Sequence, residues 1–202
     1  MISGVLDPSL GKIKLNGSSK RLGKIAYMQQ KDLLLPWLTV QENVMLPFKI
    51  KKNDTKNNFK DMLEKSKILG IEEYLQFFPN ELSGGLKQRV SLLRTILQNS
   101  EFILLDEPFA SLDAITRLEL YSWIEKIKEH INKSIILVTH DIEEAIFLSD
   151  HVIIMSSGKN NFSYELPITL EHPRNTKITI NNEFFNLKKL LLENLRKVKS
   201  ID

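Results

Sequence analysis

Short apolar runs alternate with apolar positions at helical spacing along most of the chain. KIKLN (12–16) lies between Gly11 and Gly17 and predicts a strand bounded by turns. KIAYMQQ (24–30) predicts a second strand ending in polar residues. In KDLLLPWLTVQENV, Pro36 breaks the run. Thr39, with Glu42 three residues later, has the spacing of a capping box and opens a helix. Residues 57–68 and 71–78 predict two short helices separated by Gly70. FILLD (102–106) is apolar up to its last residue, as in a strand buried on both faces. Leu118, Tyr121, Ile124, Ile127 and Ile131 predict a helix over 114–131. SIILVTH (134–140) predicts another buried strand, DIEEAIFLSD a short helix, and HVIIMSS a further strand. Strand and helix alternating in this way predict an α/β fold with a parallel sheet.

After Gly158 the texture changes. KNNFSYELPITLEHPRNTK is rich in Asn, Pro and polar residues, with one strand expected at 163–169. Residues 183–198 predict an amphipathic helix with Phe184, Leu187, Leu191, Leu195 and Val198 on one side. The expected organisation is a main body over 1–158, with a helical subdomain at about 39–99, and a C-terminal extension over 159–202. There is no internal repeat.

Composition narrows the function classes. A chain of 202 residues suits one domain with a small appendage, and 42% hydrophobic with 26% charged residues is the balance of a globular protein with a core. A net charge of +3, spread along the chain, gives no footprint for nucleic acid. No Cys is present, which excludes disulfides and thiolate metal sites. No apolar run approaches the ~20 residues of a membrane span, and the start carries no secretory pattern. Work at a membrane would therefore be done by docking onto something that spans it.

Three stretches carry chemistry. In LSGGLKQRVSLLRTIL (82–97), Ser83 is a good helix N-cap, and Gly84 and Gly85 remove side chains where something can approach the backbone. Glycine amides at a helix start form an anion site; alone, the stretch reads more readily as a capped helix with a loop glycine pair. In FILLDEPFASLD (102–113), an apolar strand ends in Asp106 and Glu107. A buried parallel strand delivers its end to a crevice at the carboxyl edge of the sheet. One carboxylate there can hold Mg²⁺ and its neighbour can polarise water. In VTHD (138–141), the next strand places His140 at its tip. Each alone has an ordinary structural reading; three in this order do not arise readily by chance.

Together these stretches resemble the ATP-hydrolysing subunit of an ABC transporter. LSGGLKQR resembles the family signature, ILLDEP the Walker B strand, ASLD the D-loop, VTHD the switch histidine, and YMQQ the Q-loop. The resemblance runs over residues 1 to about 158 and implies a P-loop NTPase-like fold with a parallel-sheet core and a helical subdomain. It implies ATP and Mg²⁺ as ligands. Asp106 would orient the metal, Glu107 would be the general base, and His140 would contact the γ-phosphate region. Gln30 would sense metal and water beside the groove that receives the permease. Ser83, Gly84 and Gly85 would bind the γ-phosphate of ATP held by the opposite subunit of a dimer, and Asp113 would cross the dimer interface. The implied partners are membrane permease subunits, a second ABC ATPase subunit and, indirectly, a solute-binding protein, with no nucleic acid. The implied location is peripheral, on the cytoplasmic face of the membrane. LLLPWLTVQENV, DEPFASLDAITRLEL and ELPITLEHPRN resemble importers of nitrate, sulfonates, taurine or thiamine precursors. Leu86 replaces the Gln usual in the wider family, and an apolar residue there is frequent in this group.

Gly11-Lys12 is not a phosphate loop. The pattern G-x-x-x-x-G-K-[ST] needs glycines five apart and a hydroxyl after Lys, whereas Gly4 and Gly11 are seven apart and Ile13 follows. MISGVLDPSLGKIKLNG matches the family's segment downstream of that loop. The resemblance thus implies a truncated cassette lacking its first strands, its phosphate loop and the adenine-stacking aromatic. One preorganised donor is worth about 3 kcal/mol, so such a chain is expected to bind ATP poorly in cis. It is either a catalytically incomplete ATPase subunit or a non-catalytic partner that lends its signature to an intact subunit. A DNA-repair or translation ATPase fits less well, given the PW-containing Q-loop and the lack of long insertions.

Overall fold

The computed structural model describes residues 1–52, 55–110, 112–155 and 163–199. Their contacts gather into two units. The first comprises Met1–Leu120 and Ile127–Val138, the second Tyr121–Lys126 and Thr139–Asp202. The expected boundary at Gly158 lies outside the described residues, as does Ser111 of the ASLD stretch.

The first unit is built on a parallel sheet of β1 (Ile25–Met28), β2 (Phe102–Asp106) and β3 (Ser134–Val138), in that order. Ile25 pairs with Phe102, and Phe102 with Ser134, so all three strands point their carboxyl ends the same way. Central β2 has Ile103, Leu104 and Leu105 buried, as its uninterrupted apolar run predicts. β3 departs from expectation. Ile136 and Val138, on one face of the strand, are 37% and 45% exposed, while Ile135 and Leu137 on the other are half-buried, so one face of β3 is left uncovered among the described residues.

Helices α1 (Val40–Ile50), α2 (Lys56–Ile68) and α3 (Gly84–Ile96) pack together, and α3 also packs on β1. α1 starts with the expected capping box: Thr39 Oγ1 accepts from the Glu42 amide, and the Glu42 carboxylate accepts from the Thr39 amide. α2 ends in a Schellman motif, with Gly70 at φ 62°, the Ile71 amide on Ser66 O and the Gly70 amide on Lys67 O. The helix expected over 71–78 is absent; Glu72–Tyr74 form a single 3-10 turn. The carbonyls of Leu75 and Phe77 instead accept from the Gln41 and Val40 amides, satisfying orphan donors at the start of α1.

KIKLN (12–16) is not a strand either. Leu15 and Ser18 exchange both backbone hydrogen bonds around Asn16 (φ 47°) and Gly17 (φ 79°), the geometry of a type I′ turn. The buried Arg21 guanidinium organises this segment, donating to the carbonyls of Ile13 and Ser19 and to Asp7.

α4 (Ala114–Lys128) contributes residues to both units. The second unit also holds α5 (Ile142–Leu148), a hairpin of β4 (His151–Met155) and β5 (Ser163–Pro167), and α6 (Asn182–Lys199). Tyr121 and Phe147 stack in its core, with ring centroids 5.3 Å apart. α6 buries Phe184 and Leu191 and half-buries Leu187 and Leu195, as its periodicity predicts; the Val198 side chain lies outside the described residues. Buried Arg174 donates to the carbonyls of Ile146, Phe147 and Ser149, closing the carboxyl end of α5.

Candidate functional site

The carboxyl edge of the parallel sheet gathers three of the residues singled out by sequence. Asp106 is the last residue of β2, Glu107 follows it, and Gln30 lies two residues beyond β1. Gln30 Nε2 donates to Glu107 Oε2 at 3.1 Å. The Glu107 amide donates to Val138 O at 2.8 Å, tying the residue to the end of β3. Its φ of 46° is a left-handed conformation rarely adopted by a residue with a side chain. A strained, tethered backbone at this point holds the carboxylate at the mouth of the crevice rather than letting β2 continue straight.

Asp106 is held by a residue that sequence reasoning passed over. Tyr27 donates its hydroxyl to Asp106 Oδ2 at 2.8 Å. The parallel register sets Tyr27 opposite Leu104, so Tyr27 and Asp106 share a face of the sheet. Burial, and then the hydrogen bond and charge of Asp106, hold the Tyr27 phenol above its usual range, so it stays a donor at neutral pH. The donor set suits Mg²⁺: the unused Asp106 oxygen and the Gln30 amide oxygen are both hard ligands. Among the described residues no group of three or more His, Cys, Asp or Glu could hold a metal ion. Mg²⁺ typically uses one or two carboxylates and fills its shell with water and phosphate oxygens.

The loop after Gln30 is fixed by two further residues. Asn43, fully buried on α1, accepts from the Leu35 amide at 2.8 Å and directs its own amide at the carbonyls of Leu35, Leu38 and Thr39. Arg94, on α3, donates to the carbonyls of Leu33 and Asp32 at 2.8 and 2.6 Å. Burial lowers the Arg94 pKa and the Asp32 charge opposes that, leaving a cation. Arg94 thus couples the glutamine loop to the helix that begins at Gly84. A lone Arg in a basic helix does not announce such a target in sequence.

A second grouping surrounds the start of α3. Ser83 is its N-cap, with Oγ accepting from the Leu86 amide at 3.3 Å. A methyl group on Gly85 would meet the Thr116 methyl at 2.9 Å, so Gly85 permits close approach of α4. At Gly84 no described residue outside its own helical turn lies within 4 Å of the same position. Arg89 and Glu119 form an ion pair at 3.2 Å that clasps the two helices. Asp113 caps α4, accepting from the Ile115 and Thr116 amides and the Thr116 hydroxyl. The Thr116 bonds hold its pKa below the usual carboxylate range.

His140 belongs to the second unit, exposed between Thr139 and Asp141. Thr139 Oγ1 accepts from the Asp141 amide and donates to Glu144, and Asp141 caps α5 through the Glu143 and Glu144 amides. The residues flanking the imidazole are therefore fixed at the start of a helix.

Comparisons with known proteins show the family. The family model for ABC transporters matches residues 1–110. A formylaminopyrimidine import ATP-binding protein of Halalkalibacterium halodurans is 38% identical, over 86% of this chain and 73% of the relative. An aliphatic sulfonates import ATP-binding protein of Bacillus thuringiensis is 36% identical, over 87% of this chain and 69% of the relative. A bacterial ABC transporter cassette solved as a dimer superposes with a TM-score of 0.56 at 35% identity, over 64% of this chain and 57% of the cassette. A post-hydrolysis cassette bound to ADP and Pi superposes with a TM-score of 0.55 at 34% identity. The chain spans little more than half the length of these solved cassettes.

Proposed function

The chain belongs to the ABC transporter family, and from that premise we propose that it is the ATP-binding subunit of an importer for a small solute of the sulfonate, nitrate, taurine or thiamine-precursor kind. Relatives named as import ATP-binding proteins support the importer reading. The observation that carries it is the Gln30–Glu107 hydrogen bond beside Asp106 at the carboxyl edge of the sheet.

In this reading Glu107 is the general base. Its carboxylate takes a proton from the attacking water, and Gln30 and the Val138 carbonyl keep it aimed. Asp106, steadied by Tyr27, and Gln30 would hold Mg²⁺, which would supply positive charge against the phosphate oxygens. His140 contacts the γ-phosphate region. Ser83, Gly84 and Gly85 present amides and a hydroxyl to ATP held by a second ATPase subunit, and Asp113 faces that subunit. Permease subunits dock beside the loop after Gln30 on the cytoplasmic face of the membrane, with a solute-binding protein acting through them. Among the described residues no helix is long and apolar enough to cross a membrane.

The sequence holds no G-x-x-x-x-G-K-[ST] pattern, so the chain is catalytically incomplete by itself, and the test is ATP turnover by the protein assembled with its permease and an intact ABC subunit. Glu107→Gln should lower turnover 10²–10⁴-fold while leaving the melting temperature unchanged. Retention of most turnover would defeat the assignment.

A second reading, a partner that lends its signature to an intact subunit, rests on Gly84. A glycine in the first helical turn has a conformational cost, and no neighbour among the described residues requires it. Its bare backbone is then kept for a group outside the chain. Mixing the protein with an intact ABC subunit should raise ATP turnover, and Ser83→Arg should remove the gain; no gain discards this reading.

A further inference from the structure

At the amino ends of β2 and β3, opposite Asp106 and Glu107, the first unit holds a cleft of about 540 Å³. Small-molecule sites commonly occupy about 300–1,000 Å³. α2 forms one wall. The other walls are the two loops that lead into β2 and β3, residues 97–101 and 130–133.

The lining divides by chemistry. Phe48, Leu97 and Ile131 supply apolar surface. Lys65, paired with Asp61, and Lys133 line the same space, with Asn99 and Asn132. The cleft's two carboxylates are already engaged: Asp61 with Lys65, and Glu101 with the Asn16 amide at 2.7 Å. Lys133 donates to the carbonyls of Ile96 and Gln98, which fixes its position and leaves one of its three N–H groups unused. The donors this lining offers are the third N–H of Lys133, the Lys65 N–H groups outside its pair with Asp61, and the Asn99 and Asn132 amides. Burial lowers the Lys133 pKa and the Lys65 charge lowers it further; Asp61 opposes them and Lys51 adds to them. A cation held partly out of water beside other cations gains from a bound anion.

We propose that this cleft binds a small organic anion: an oxyanion head, sulfonate or carboxylate, met by Lys133 and Lys65, on a short apolar body lying against Phe48, Leu97 and Ile131. The occupant would bridge α2 to the loops feeding β2 and β3. The proposal does not rest on the assignment of ATP chemistry, and its test contains no nucleotide.

The experiment is calorimetric titration of the purified full chain with hexanesulfonate, hexanoate, sodium sulfate and hexanol, with melting temperature followed in parallel. One or both of the alkyl anions should bind saturably and at least tenfold more tightly than sulfate or hexanol, and should raise the melting temperature. The tighter of the two identifies the head. Lys133→Gln should weaken binding at least tenfold. Asn132→Asp, which adds negative charge at the rim without touching the bonds of Lys133, should do the same in a chain that melts normally. Equal binding of sulfate and hexanesulfonate would mark an adventitious ion only and overturn the proposal. No saturable binding, or unchanged affinity in Asn132→Asp, would overturn it too.

Discussion

Asn43→Leu isolates how the loop after Gln30 is held. The substitution keeps the number and branching of side-chain heavy atoms, adds some volume and removes every polar atom. Asn43 is fully buried, and its side chain engages one amide and three carbonyls. Not all are orphaned by the change. Leu35 O still accepts from the Leu38 amide, and Thr39 O from the residue-43 amide. The Leu35 amide and the Leu38 carbonyl lose partners at a buried site. Each orphan costs about 1–3 kcal/mol, and the added apolar burial offsets part of that. The net loss is about 2–4 kcal/mol, a large share of a total of roughly 5–15. For a chain of this size each kcal/mol moves the melting temperature by about 2–4 °C. Urea titration, read by fluorescence, gives the global figure; Trp37, exposed within the loop, also reports local release. Hydrogen exchange at the Leu35 amide should accelerate more than exchange in β2. A loss below about 0.5 kcal/mol, well short of a single orphan, with Leu35 exchange unchanged, would refute the assignment of the loop to Asn43.

Gly84→Ala should raise stability by up to about 1 kcal/mol through helix propensity, since the methyl meets nothing within 4 Å. The same change should abolish stimulation of an intact partner, read by melting and mixed-subunit ATPase assays. Gly85→Val should instead destabilise by about 1–3 kcal/mol through overpacking, because the Thr116 methyl is 2.9 Å away, and Thr116→Ser should relieve much of it in a double-mutant cycle. Lys133 gives a pH dependence. Its native pKa is lowered, so between that value and the ordinary ~10.4 of Lys the unfolded chain binds more protons and stability rises with pH. Urea midpoints of Lys133→Gln should show a shallower alkaline rise than wild type. Tyr27, with its raised pKa, acts in the opposite sense at higher pH in both proteins.

Much of the fold was legible because its signals are local and mutually consistent. The Thr39–Glu42 box, the uninterrupted FILLD and the helical spacing after Ala114 each fix one element. Where the reading failed, a distant partner or an overlooked turn decided the outcome. Residues 71–78 have the composition of a helix, but their carbonyls are used by the amino end of α1. KIKLN alternates like a strand, yet Asn16-Gly17, the strongest short hairpin signal, turns the chain within it. SIILV reads as buried from its apolarity, but which of its faces is covered depends on what packs on the sheet, which no five-residue pattern encodes. At the site, the residues with named chemistry were visible in sequence. Tyr27, Asn43 and Arg94 were not, because their roles come from register and from carbonyls tens of residues away.

The left-handed backbone at Glu107 sets durability against activity within a single residue. Holding a side chain there stores roughly 1–3 kcal/mol, which glycine would release. Glu107→Gly should therefore yield a hardier protein that hydrolyses nothing. Under the proposed role of Glu107 as general base, the residue that weakens the fold is the one that turnover requires.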